Sequence, residues 1–330
     1  LDTSSKGHQP MCFKNYVLVF NGEIYNFKSI RNLLEIKGYN FKSDTDTEVV
    51  LKSFDYWGIN CVENFDGMFA FSIFDTNKKI LYLFRDRFGV KPIYYYYNKN
   101  NLIISSEAKS IMKSSFFSKE LNKNAVTDYF NLGYLRNDQR ILKNLKILNN
   151  STCLQFAIAG DIKIIKEEVF AYKSKNYVLD KNDEGKALDT LNEILIRSCQ
   201  KRLISDVPVG YFLSGGIDSS LISGIIKGDL KKNIPAFTLV DKETGNLDFE
   251  YSQKISSFLK LNHYFFDVKD HKKSFCEIFE NISHFIDEPF ADISTISTII
   301  LSREVKKKVK AVISGDGADE MFGGYPKYEN

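Results

Sequence analysis

The chain is predicted to fold as two joined architectures, an antiparallel α+β half followed by a parallel-sheet α/β half. Three observations predict this. From residue 11 to residue 167, short apolar runs follow one another across turn residues. Residues 173–185 are polar and lack periodicity. Beyond them, strand-like and helix-like stretches alternate. Closely spaced strands pair as hairpins, whereas strands separated by helices form βαβ units and a parallel sheet.

In the first half, residues 16–20 run into Asn21-Gly22, and residues 68–74 are separated from 80–84 by Asp75-Thr76-Asn77. Further runs cover 92–97, 102–105 and 151–156, and helical periodicity interrupts at 27–37 and 47–57. In the second half, helices are expected over 186–203, 218–227, 249–260, 273–286 and 295–307. Strands are expected over 209–213, 235–240, 263–268 and 310–314. The implied division is a first domain at 1–172, a linker at 173–185 and a second domain at 186–330.

Composition excludes several classes. With 330 residues the chain can build two cores, and 43% hydrophobic with 26% charged residues is ordinary for a globular protein. A net charge of +3, with both signs mixed along the chain, is no nucleic-acid footprint. The run Lys306-Lys307-Lys308 with Lys310 falls at a helix end, where cations suit the macrodipole. The five cysteines are irregularly spaced and form no CxxC pair, which argues against a disulfide framework or zinc site and favours a reducing, cytoplasmic setting. No apolar run reaches the roughly 18 residues of a membrane helix, and no leader-like segment opens the chain. Because it starts at Leu1-Asp2-Thr3 and stops at Tyr328-Glu329-Asn330, both ends are expected to be cut.

The strand at 209–213 runs into Ser214-Gly215-Gly216-Ile217-Asp218-Ser219-Ser220 and then a helix. Glycines let the backbone turn its N–H groups toward an anion, and a helix N-terminus adds free donors. The serines supply hydroxyls, and Asp218 can hold a Mg²⁺ that bridges phosphate oxygens. No Lys-Thr or Lys-Ser pair follows, so this is not a Walker A loop. An ordinary βα turn with Ser and Asp as caps is the bland reading. The second loop, Ser314-Gly315-Asp316-Gly317-Ala318-Asp319-Glu320, weighs against it. Three carboxylates at the end of a parallel strand have no packing rationale, but open α/β sheets bind ligands there. The strand at 235–239 would end beside the first loop and is a natural site for an adenine ring, through backbone groups and apolar contact. Asp287-Glu288-Pro289-Phe290-Ala291-Asp292 is either a third acidic loop near that rim or a solvated turn.

In this order and spacing, residues 214–220, 287–292 and 314–325 resemble the glutamine-dependent asparagine synthetases of the AsnB type, which use the PP-loop ATP pyrophosphatase fold. The resemblance extends upstream through Gly7-His8-Gln9-Pro10-Met11, Phe20-Asn21-Gly22-Glu23-Ile24-Tyr25-Asn26, Ser43-Asp44-Thr45-Asp46-Thr47-Glu48, Asp66-Gly67-Met68-Phe69-Ala70-Phe71 and Arg85-Asp86-Arg87-Phe88-Gly89-Val90-Lys91-Pro92. Those motifs are similar to the class II (Ntn-type) glutaminase αββα sandwich of that family. From the residues alone, Asn21-Gly22 is a hairpin turn and Thr45-x-x-Glu48 a capping box.

The resemblance implies more. Asn21 and Gly22 would be oxyanion-hole donors to the glutamine side-chain carbonyl, with Glu23 and Asp46 holding its α-ammonium. Ser214, Gly215, Gly216, Asp218 and Ser219 would bind pyrophosphate and Mg²⁺. Leu213, Leu239, Ser314 and Gly315 would contact adenosine, Asp319 a second metal or phosphate, and Asp316 would take a proton from attacking ammonia. The implied substrates are ATP, glutamine and aspartate, with no nucleic acid or membrane, and a homodimer is compatible. The family's N-terminal cysteine nucleophile and the Arg that grips the glutamine carboxylate fall upstream of residue 1. The chain alone is therefore expected not to hydrolyse glutamine, and Cys12 is expected to be an inert thiol. Part of the acceptor pocket and a catalytic Lys would lie beyond Asn330. The family's usual proline is also absent around Ile296-Ser297. Alternatives are an amidotransferase of the same fold acting on another carboxylate, such as a surface-polysaccharide sugar acid or a β-lactam precursor, and a pseudoenzyme with a binding role.

Overall fold

The computed structural model describes residues 5–136, 139–170, 183–241, 247–292, 294–325 and 328. The chain separates into two compact units: Leu1–Lys175 with Ile286–Asp292, and Asn176–Phe285 with Ile293–Asn330. Most of the expected linker lies outside the described residues. Its end does not: Asp183 caps a helix whose first residue is Glu184, accepting from the Lys186 N–H at 3.0 Å.

In chain order the first unit contains β1 (Met11–Phe13), β2 (Tyr16–Ile24), α1 (Phe27–Ile36), α2 (Asp46–Trp57), β3 (Gly67–Asp75), β4 (Ile80–Arg85), β5 (Tyr94–Tyr97) and β6 (Leu102–Ser105). It continues with α3 (Ala108–Met112), α4 (Lys123–Leu132), β7 (Lys146–Ile147), β8 (Thr152–Ala157) and β9 (Lys163–Val169). Strands β1-β2-β3-β4-β8-β9 form one antiparallel sheet and β6-β5-β7 a second.

Period-2 alternation assigns each face. Leu18, Phe20, Phe71, Ile73 and Phe84 of the larger sheet bury against Ile30, Leu34, Val49, Val50 and Phe54 of α1 and α2. Its other face places Ala70, Leu83, Leu154 and Phe156 against Tyr95, Tyr97, Leu102 and Ile104 of the smaller sheet. The far side of that sheet, Tyr94, Tyr96 and Ile103, packs on Ala108 and Ile111 of α3. The layers therefore run α–β–β–α, as the resemblance implied.

The second unit comprises α5 (Glu184–Arg202), β10 (Val209–Phe212), α6 (Ile217–Gly224), β11 (Ala236–Val240), α7 (Leu247–Leu259), β12 (His263–Asp267), α8 (Lys272–Glu280), α9 (Ser294–Val305), β13 (Ala311–Ile313) and α10 (Ala318–Phe322). The helix expected over 273–286 stops at Glu280, and a 3-10 turn at Ile282–His284 follows. The four strands are all parallel, in the order β12-β11-β10-β13. The chain moves from β10 outward to β12 and then returns to the opposite side of β10. A topological switch point thus lies between β10 and β13, and the loops leaving their C-terminal ends diverge there to open a crevice.

One expectation fails. Asp287 and Glu288 are not a solvated turn, although Phe290, Ala291 and Asp292 beyond them are exposed. They belong to the first unit, where Asp287 Oδ2 accepts from the Ala108 N–H at 2.6 Å and Oδ1 pairs with Lys109 at 3.3 Å. Glu288 accepts from Arg140 at 3.0 Å and from the Ile141 N–H at 3.2 Å. Both carboxylates are about 10% exposed. Buried carboxylates persist where cations and amides satisfy them, and here those partners come from the other half of the sequence.

Candidate functional site

In the second unit, the loop after β10 and the loop after β13 line one cavity of about 410 Å³. Ser214, Gly216, Asp218, Ser219, Ser314, Gly315, Asp316 and Asp319 all contribute to its wall. Gly215 turns the chain at φ +90°, a conformation that favours glycine, and Gly216 then caps α6. The hydroxyls within the loop are mutually fixed. Ser214 Oγ and Ser219 Oγ lie 3.0 Å apart, the Gly216 N–H donates to Ser214 Oγ, and Ser220 Oγ donates to the Gly216 carbonyl at 2.6 Å.

Gly315 closes the two loops on each other. A Cβ there would lie 3.1 Å from Asp218 Cβ and 3.4 Å from the Ser219 nitrogen, so any side chain would crowd the start of α6. Ser314 Oγ donates to Asp316 Oδ2 at 2.8 Å. Tyr325 donates to Glu320 at 2.8 Å, and that hydrogen bond pushes the phenol up to about 12. Serine hydroxyls and the first amides of α6 thus face carboxylates across a small cavity, a donor set that suits a polyphosphate neutralised by a cation.

Asp218 and Asp319 both reach this cavity, but no group of three His, Cys, Asp or Glu converges on one point among the described residues. Their chemistry fits Mg²⁺, which keeps several waters and phosphate oxygens and needs only one or two protein carboxylates.

The Leu213 side chain is wholly buried, its N–H donates to the Phe237 carbonyl at 3.0 Å, and its carbonyl accepts the Thr238 hydroxyl. Its side chain therefore supports the loop. Leu239 lies on β11, outside the cavity wall, and its half-buried side chain packs toward Ile278, Ile296 and Ile300. Thr238 and His263, which secure Leu213, were not anticipated from the sequence. An apolar run containing one Thr reads as strand, and only sheet register places the two side chains together.

In the first unit Asn21 and Gly22 are not a turn. Both lie inside β2, opposite Ala70 and Phe69 of β3. The strand continues because Gly22 allows an unusually close approach: a Cβ there would collide with the Met68 carbonyl oxygen and come within 2.7 Å of Phe69 Cα. Alternation along β2 then decides which way the amides point. The Phe20 N–H donates to Gln9 Oε1 at 2.6 Å and the Ile24 N–H to Asp46 Oδ2 at 3.0 Å, both on the edge away from β3. The Gly22 N–H lies between them on that same edge, beyond the end of β1, and Asn21 Nδ2 donates to Ser106 Oγ at 3.2 Å. An amide aimed outward between two engaged neighbours is the geometry an oxyanion donor needs.

Asp46 is the first residue of α2, capped by the Thr45 hydroxyl, which accepts from the Glu48 N–H at 3.2 Å. The reciprocal half of the capping box is displaced. Glu48 reaches the N–H groups of Lys42 and Ser43 instead and pairs with buried Lys52. Burial raises the pKa of Glu23, and the nearby Asp46 raises it further. Asp46 itself is raised by burial, against the opposing Ile24 amide. Two carboxylates sharing a partly desolvated corner are primed for a cation such as an ammonium. Cys12 is exposed on β1, while burial pushes the thiols of Cys61 and Cys153 up, so those two are unreactive.

Comparison with known proteins follows the same division. Residues 1–166 match the glutamine amidotransferase domain family and residues 190–330 the asparagine synthase family. The whole chain is 35% identical to a protein of Methanocaldococcus jannaschii provisionally named asparagine synthetase (glutamine-hydrolyzing) 2, and covers 66% of it. Over 98% of its length it is 32% identical to asparagine synthetase (glutamine-hydrolyzing) 1 of Bacillus subtilis, and covers 50% of that protein. The chain thus spans between half and two thirds of the length of these relatives.

Proposed function

The chain belongs to the glutamine-hydrolysing asparagine synthetase family, and on that premise we propose that it takes part in ATP-driven amidation of aspartate with glutamine as the nitrogen source. The observation that carries this reading is the convergence of two loops, separated by almost a hundred residues of sequence, on one cavity at the switch point of a parallel sheet.

In the second unit, the Ser214–Ser219 hydroxyl pair and the first amides of α6 bind the pyrophosphate portion of ATP. Mg²⁺, held by Asp218 and Asp319, would supply charge neutralisation between phosphate oxygens. Attack of the aspartate side-chain carboxylate on the α-phosphorus forms the aspartyl-adenylate and breaks the bond to pyrophosphate. Ammonia then attacks the acyl carbon and AMP leaves. Asp316, exposed at the cavity wall and oriented by Ser314, accepts a proton from the attacking nitrogen.

In the first unit the Gly22 N–H and Asn21 Nδ2 stabilise the oxyanion on the glutamine amide, while Glu23 and Asp46 hold the substrate's ammonium. The free thiols Cys12, Cys61, Cys153, Cys199 and Cys276 support a reducing, cytoplasmic setting for this chemistry.

Pyrophosphate release from ATP, with and without aspartate, tests the reading. Asp218→Ala is expected to reduce aspartate-dependent release by at least about a hundredfold, the weight of a lost charge-stabilising contact. Equal release by both proteins would remove Asp218 from the mechanism. Stimulation by another carboxylate but not by aspartate would overturn the substrate assignment.

A further inference from the structure

We propose that Thr238, held in place by His263, is a positioning residue that keeps the Leu239 peptide open to the purine base and so sets the preference for adenine. The inference rests on the nucleotide reading of the cavity above.

The sheet register supplies the first half of the case. The Ala236 N–H donates to the Asn262 carbonyl, so Ala236, Thr238 and Val240 turn their peptide groups toward β12, and Phe237 and Leu239 turn theirs toward β10. Phe237 uses this orientation to accept from the Leu213 N–H. The next rung of a continuing ladder would be the Leu239 N–H on the Leu213 carbonyl. That carbonyl instead takes the Thr238 hydroxyl. The Leu239 N–H and C=O are thereby left facing the point where β10 and β11 part.

Proton counting supplies the second half. A hydroxyl has one hydrogen, and Thr238 donates it to the Leu213 carbonyl. Toward His263 Nε2, 2.7 Å away, Thr238 must therefore accept, which places the imidazole proton on Nε2. Nδ1 is then bare, and it is buried with no partner among the described residues. Burial lowers the His263 pKa to about 4, so the ring stays neutral and this arrangement persists through the physiological range. Thr238 is only 3% exposed, so no water competes for its proton. The geometry has one effect that packing alone does not require: the Thr238 hydroxyl stands on the Leu213 carbonyl at the rung where the Leu239 amide would bond, and that backbone hydrogen bond is not formed among the described residues.

A donor N–H beside an acceptor C=O complements adenine, whose N1 accepts and whose 6-amino group donates. Hypoxanthine presents N1–H and a 6-oxo group, the reverse pattern, so both its contacts would fail at this edge. Sites built to hydrogen-bond a ligand discriminate strongly because mismatched polar groups are left unpaired.

The test uses the full chain and equilibrium binding of ATP and ITP to wild type, Thr238→Val and Thr238→Ser, together with amide hydrogen exchange at Leu239 without nucleotide. Thr238→Val keeps shape but frees the Leu213 carbonyl. It is expected to weaken ATP binding about tenfold, the weight of one hydrogen bond, and to flatten the ATP-to-ITP ratio. It should also slow Leu239 exchange as that amide acquires the Leu213 acceptor. Thr238→Ser should restore all three properties, which a volume effect would not. Unchanged Leu239 exchange and unchanged ATP preference in Thr238→Val would overturn the proposal. Absence of aspartate-dependent pyrophosphate release from a wild type that still prefers ATP would instead sink the aspartate reading and leave this one standing.

Discussion

Glu23 and Asp46 show how a binding site is held at a cost in stability. Both carboxylates have raised pKa values in the folded chain, through burial first, and Glu23 is raised further by the neighbouring charge of Asp46. A carboxyl whose folded pKa exceeds its unfolded value contributes stability fully below the unfolded value, near about 4. That contribution is lost as pH rises through the folded value. At neutral pH the buried negative charge of Asp46 is therefore a cost in stability. Asp46→Asn retains an oxygen for the Ile24 amide and removes the charge. It is expected to raise the melting temperature at pH 7, with the gain shrinking toward pH 4, while weakening glutamine binding. A lower melting temperature at pH 7 would show that the carboxylate stabilises the fold. The family resemblance, not the residue types, implied that Glu23 and Asp46 act together; the structure shows the physical basis of their proximity, the end of β2 meeting the first turn of α2.

At the scale of elements, the segment Ile286–Asp292 is the clearest departure from sequence order. Glu288 and Arg140 form an ion pair with side chains about 10% exposed, flanked by the Ile141 amide. Removing one member strands a buried charge, which typically costs about 3–5 kcal/mol, while replacing both is much milder. Glu288→Leu and Arg140→Leu are each expected to destabilise the first unit by about 3 kcal/mol, and the double variant by clearly less than the sum. Trp57, the sole tryptophan, ends α2 in that unit, so its fluorescence during urea unfolding reports the effect. Additive effects would mean that the two charges act independently. Periodicity located the long helices and central strands to within a few residues because their buried faces repeat regularly. Among the elements it missed are α3, α4 and β9. α3 is too short for a repeat, α4 buries only Ala125, and β9 is an edge strand whose Lys-Ile-Ile-Lys-Glu-Glu-Val sequence alternates poorly. Tertiary packing and ladder hydrogen bonds form these three.

At the scale of the molecule, each unit has its own buried core, and the cavity belongs wholly to the second. ATP at about a hundred times its Kd is expected to add about 2.7 kcal/mol to the unfolding free energy of that unit. Hydrogen exchange of the β10 and β13 amides would read this as stronger protection. No added protection at saturating ATP would count against nucleotide binding here. By itself, the sequence determined the two rhythms and the antiparallel and parallel sheet classes they imply, because periodicity acts over a few neighbouring residues. Tertiary structure alone decided that Asn21-Gly22 continues a strand, since only the close approach of β3 shows why a side chain is excluded there. It also decided that Asp287 and Glu288 serve the first unit, because their cations lie some 150 to 180 residues away in sequence. It set Thr238 and His263 against Leu213 as well, through a parallel register that spans three strands. Burial and hydrogen-bond partners across such separations are properties of the packed chain, and no local pattern encodes them.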